Sequence, residues 1–121
     1  MTASIFAQTS AEFRFNIPLL ADRLIGTINW AQANPQTSPL PAGLFGASTG
    51  AAAALIAAAK RPEIVQAVVS RGGRPDMAEE FLEQVGAPTL LIVGGLDDVV
   101  IELDKQALAR LEGRKELQIV S

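Results

Sequence analysis

The chain is 121 residues long, with 49% hydrophobic and 19% charged side chains, the size and make-up of one globular domain. Lys plus Arg number 10 and Asp plus Glu 13, so a net charge of −3 leaves no basic footprint for nucleic acid. There is no Cys, which removes disulfides, thiolate metal sites and cysteine nucleophiles, and no His, the commonest general base and metal ligand.

No apolar run approaches the roughly 20 residues of a membrane span. The opening MTASIFAQTSAEF lacks the basic start and apolar core of a signal peptide. A cytoplasmic protein that needs neither metal nor cofactor is the expectation.

In chain order, Ile17, Leu20, Leu24, Ile28 and Ala31 recur at helical spacing and predict a helix over 16–33. Asn16 is placed to cap it and Pro18 falls in its first turn, where a missing N–H costs nothing. ANPQTSPLP, from Ala33 to Pro41, reads as a loop. A short strand over 42–45 precedes the helix-favouring AAAALIAAAK, which ends near Arg61. A second strand is expected over 64–69, followed by the loop SRGGRPD. Met77, Phe81, Leu82 and Val85 then share one face of a helix that Gly86 stops. The strongest strand covers 89–93 and runs into GGLDD; a helix with Val100, Leu103, Ala107 and Leu111 inward follows, then a last strand over 116–120.

Such alternation indicates an α/β fold of about four parallel strands. Right-handed crossovers between sequentially ordered strands put the helices mainly on one face of the sheet. The other face, apolar as well, is expected to need a cover: a second copy of the chain, or a segment outside it.

Gly46-Ala47-Ser48-Thr49-Gly50 fits G-x-S-x-G between an apolar run and a helix, the context of a nucleophile elbow. The small residues let the turn pinch, raising Ser48 above the sheet edge. The backbone N–H of Thr49, at the helix start, can then stabilise an oxyanion. Two other readings stay open: a packing turn with Ser48 as a helix cap, and a phosphate loop built on Gly43, Gly46 and Gly50. Parallel strands deliver their following loops to one edge, so Asp97 and Asp98 should share it with Ser48. Either can orient a base, or simply cap the next helix. Arg71 and Arg74 reach the same edge and could hold a substrate anion, or be solvated or tied to Asp76. Glu79, Glu80, Asp104, Lys105 and Arg110 read as outer helix faces, and Trp30 and the phenylalanines as core.

With these stretches in this order, the chain resembles the α/β-hydrolase family, and within it dienelactone hydrolase-like proteins. LFGASTGAAAAL, VVSRGGRPD and PTLLIVGGLDDVV carry the likeness. The resemblance implies a partial α/β-hydrolase domain acting on ester-type small molecules. It implies Ser48 as nucleophile, the Thr49 N–H as one oxyanion donor and Asp97 as acid, with Asp98 the alternative. Dienelactone hydrolases proper carry Cys where this chain has Ser48. Their His follows the strand after the acid, where this sequence stops at Ser121. The expectation is therefore the C-terminal half of a serine hydrolase, weakly active or inactive alone. The alternative is a non-catalytic dimeric or partner-binding module.

Overall fold

The computed structural model describes residues 5–9, for the backbone alone, and residues 16–120. Five parallel strands form one sheet in sequential order: β1 (Ile5–Thr9), β2 (Ala42–Ala47), β3 (Val65–Arg71), β4 (Thr89–Gly94) and β5 (Lys115–Val120). Their connections are the helices α1 (Ile17–Ala33), α2 (Thr49–Lys60), a kinked 3-10 helix (Pro75–Gln84) and α3 (Asp98–Arg110). The α/β class and the parallel strands are as expected. The fifth strand, β1, is an addition that the apolar pattern did not reveal: IFAQT is short, lies at the sheet edge and alternates weakly.

Alternation along the strands shows which face the helices cover. Ala42, Leu44 and Gly46 of β2, Val65, Val68 and Ser70 of β3, and Thr89, Leu91 and Val93 of β4 are all buried. Their neighbours on the opposite face include Phe45, Val69, Leu90 and Ile92, in register across three strands, and none of these is buried. One face is therefore packed, while the other is apolar and carries no helix among the described residues, as right-handed sequential crossovers dictate.

The packed side is organised around α2. Its residues from Thr49 to Ala58 are buried all round, since alanines allow close approach from the sheet, α1 and the kinked helix. In α1 the buried stripe is Ile17, Leu20, Ala21, Leu24, Ile28 and Ala31, as the spacing predicts. Asn16 takes the cap position, but its side chain makes no capping bond. Trp30, expected in the core, is 63% exposed, because the buried stripe of α1 runs along the opposite side.

The helix expected around Met77–Val85 is broken. Glu79 has φ 51 and ψ −124, which divides Pro75–Gln84 into two short turns. The break frees the Glu79 carbonyl, and Arg110 Nη2 donates to it at 3.0 Å while also pairing with Glu83. Leu82 and Val85 still reach the core.

Candidate functional site

The turn after β2 is tight because Gly46 permits it. A Cβ on Gly46 would collide with the Gly50 carbonyl oxygen and lie 2.6 Å from Ala51 Cα and N. The chain reverses through Ser48, at φ 54 and ψ −130, a backbone conformation that costs a non-glycine residue on the order of 1–3 kcal/mol. Ser48 occupies the cap position of α2, yet its side chain makes no capping bond, so the helix-cap reading does not hold. Gly43 lies inside β2, paired with Ala67, which removes it from a phosphate-binding loop.

We expect Ser48→Gly to raise stability by about 1 kcal/mol, because glycine adopts this conformation without the Cβ penalty. Urea denaturation checks it; a destabilised variant would mean that the hydroxyl stabilises the turn.

The loop after β3 presses on this turn. Arg74 N–H donates to the Ser48 carbonyl at 2.9 Å, and Ala51 N–H donates to the same oxygen at 3.2 Å. Gly73 lies so close that a Cβ there would be 2.5 Å from Ala51 Cβ and from Ser70 Oγ. The hydroxyls of Ser70 and Thr49 are buried without a hydrogen-bond partner. Arg74 grips Asp76 through both Nε and Nη2 at 3.0 Å each, so this arginine is tied to its acid. That pairing raises the Arg74 pKa further, its hydrogen bond to Asp76 outweighing the cost of burial. Arg71 is exposed on the uncovered sheet face, in register with Ala47 and Ile92, and makes no hydrogen bond or ion pair among the described residues.

Asp97 caps α3: its Oδ1 accepts from Val100 N–H at 3.2 Å. Asp97 and Asp98 are exposed, at the end of β4. The strand order puts β3 between the Ser48 turn and the Asp97 loop, at the same sheet edge, about 10 Å apart by strand spacing. Topology thus gathers Ser48, Thr49, Arg71, Arg74, Asp97 and Asp98 along one rim.

Asp104 is the residue that the sequence misplaces. Expected on the outer face of α3, it is 0% exposed, and neither carboxylate oxygen has a hydrogen-bond partner among the described residues. Burial, with the nearby charge of Asp76, pushes its pKa up to about 6, against the pull of Arg74. The buried stripe of α3 and its end runs Asp104, Ala107, Leu111, while Leu103 is only half-buried. The spacing of Val100, Asp104, Ala107 and Leu111 is as helical as that through Leu103, and was the available signal.

The chain is 58% identical to a dienelactone hydrolase from Anabaena variabilis of known structure, with a TM-score of 0.87 over 90% of this chain and 50% of that one. It is 57% identical over 106 residues to two Mycobacterium tuberculosis proteins, provisionally named phosphoribosyl transferases; the match spans 88% of this chain and 24% of theirs. A Paleococcus ferrophilus monoacylglycerol lipase, 13% identical, shares the fold with a TM-score of 0.67 over 96% of this chain and 82% of its own. The chain therefore spans about a quarter of the mycobacterial proteins and half of the Anabaena one. The dienelactone hydrolase family profile matches residues 10–118, and with the strand–turn–helix at Ser48 and the acid loop on one rim, the chain belongs to the dienelactone hydrolase family.

Proposed function

We propose that this chain carries the nucleophile side of an ester-cleaving serine hydrolase. The observation that supports it best is Ser48 itself. It is held at positive φ on a strand-to-helix turn, with its hydroxyl not used in capping. Ser48 Oγ attacks an ester-type carbonyl as its proton passes to the base, and the Thr49 N–H at the start of α2 receives the oxyanion. The intermediate releases the alcohol with that proton, and water then frees the acid from Ser48. Asp97 orients the base with its free oxygen, Oδ1 being engaged by Val100; Asp98, one residue on, is the alternative. The gap of about one intervening strand leaves room for a third side chain between serine and acid. That base is a histidine from outside these 121 residues, which contain none. Arg71, exposed beside Ala47, is the better candidate to meet a substrate anion, since Arg74 is occupied by Asp76. The transferase name of the mycobacterial relatives belongs to proteins of which this chain matches 24%.

Labelling with a fluorophosphonate probe tests the reading. The chain alone should react slowly and only at Ser48, and added imidazole should accelerate that reaction while leaving Ser48→Ala unlabelled. Rapid stoichiometric labelling without imidazole would refute the external base. Labelling at another serine would refute the nucleophile.

The row Val69, Leu90 and Ile92, apolar and not buried among the described residues, supports a second reading, a non-catalytic module in which two copies bury these faces together. Light scattering should then show a dimer; a monodisperse, folded monomer would overturn it.

A further inference from the structure

We propose that Asp104 is a positioning residue for the elbow, acting through Arg74 on the peptide unit that joins Ser48 and Thr49. The inference deepens the hydrolase reading and takes its functional meaning from it. The Ser48 carbonyl and the Thr49 N–H belong to one planar peptide unit, so whatever holds the carbonyl aims the N–H. Arg74 N–H holds that carbonyl at 2.9 Å, and Gly73 sits too close to Ala51 and Ser70 for the loop to slide without moving the elbow. The Arg74 guanidinium bonds one acid and lies within electrostatic reach of a second. Asp76 has it in a two-point grip, while Asp104, on α3, is fully buried with both oxygens unpartnered among the described residues.

One guanidinium cannot compensate two carboxylates in full, so the charge on Asp104 decides how Arg74 is shared. Among the described residues no other charged group answers Asp104. The charges that reach it are Asp76 and Arg74. β4 has no ionisable side chain. On β5, Lys115 donates to the Leu111 carbonyl and Glu116 bonds Gln118. On the kinked helix, Glu79, Glu80 and Glu83 lie around Arg110. Asp98, Glu102, Lys105 and Arg110 of α3 itself are exposed. A neutral Asp104 leaves Arg74 with Asp76. An ionised one draws it toward α3 and shifts the N–H that clamps the elbow.

NMR titration of the 121-residue chain tests this without any ester chemistry. The expected result is that the Arg74 and Thr49 amide signals move with the same midpoint as the Asp104 carboxyl carbon, near 6, well above the usual carboxylate range. In Asp104→Asn that phase should vanish. An Asp104 that titrates while both amides stay still overturns the proposal, as does one that titrates with the ordinary carboxylates. The wild-type arm decides even if the variant does not fold. Loss of probe labelling with co-titration intact would refute the hydrolase reading and leave the coupling standing.

Discussion

Replacing Gly46 with alanine is expected to cost about 3 kcal/mol, the upper part of the range for overpacking a filled site. The new methyl would meet only backbone, the Gly50 carbonyl and the Cα and N of Ala51 at 2.6 Å, and backbone cannot rotate away as a side chain can. Relief would require opening the turn between β2 and α2, which anchors the most buried helix of the chain. Two other glycines serve as controls in the same urea titration. Gly43→Ala places its methyl at 3.9 Å from the Ala67 carbonyl, an ordinary contact, and should be nearly neutral. Gly26→Ala, in open space within α1, should gain about 1 kcal/mol from helix propensity. A Gly46→Ala variant as stable as Gly43→Ala would show that the elbow is not tightly held.

Asp104→Asn should stabilise the protein progressively as pH rises. The folded-state pKa of Asp104 is raised, from 3.8 to about 6, so the folded protein retains a proton that the unfolded chain releases. The contribution is fully present below about 4 and lost as pH passes through about 6, which over two pH units amounts to roughly 3 kcal/mol. Asparagine is neutral throughout and skips that loss. Relative to wild type, the variant's stability should therefore climb by about 2–3 kcal/mol between pH 4 and pH 8. Chemical denaturation at both pH values measures it, and a pH-independent difference would place Asp104 in contact with water or a compensating charge.

Much of the candidate site was legible before folding. G-x-S-x-G between an apolar run and an alanine-rich stretch specifies a strand–turn–helix, because only small residues pass such a turn and only strong helix formers follow it. The alternation of strands and helices specified parallel strands and one rim for Ser48, Arg71, Arg74 and Asp97. Besides β1, three features were not legible. The break at Glu79 leaves the spacing of Met77, Phe81 and Leu82 unchanged, so the pattern of an unbroken helix persists through it. Trp30 is apolar but falls on the exposed side of α1. Asp104 and Leu103 are adjacent on α3, and either continues a helical stripe, so which one turns inward depends on packing against the kinked helix.

Local chemistry therefore determined most of the elements and their order, β1 and the break at Glu79 excepted, since backbone propensity and apolar periodicity act over a few residues at a time, while the family followed from the resemblance of whole stretches. The tertiary structure decided what depends on contacts between distant segments. It set which face of each helix is buried, and gave Arg74 to Asp76 and its backbone N–H to Ser48. It also buried Asp104 with no partner of its own. The charge count of −3 treats Asp104 as one more surface acid, but desolvation in the packed protein makes it a group that titrates near 6.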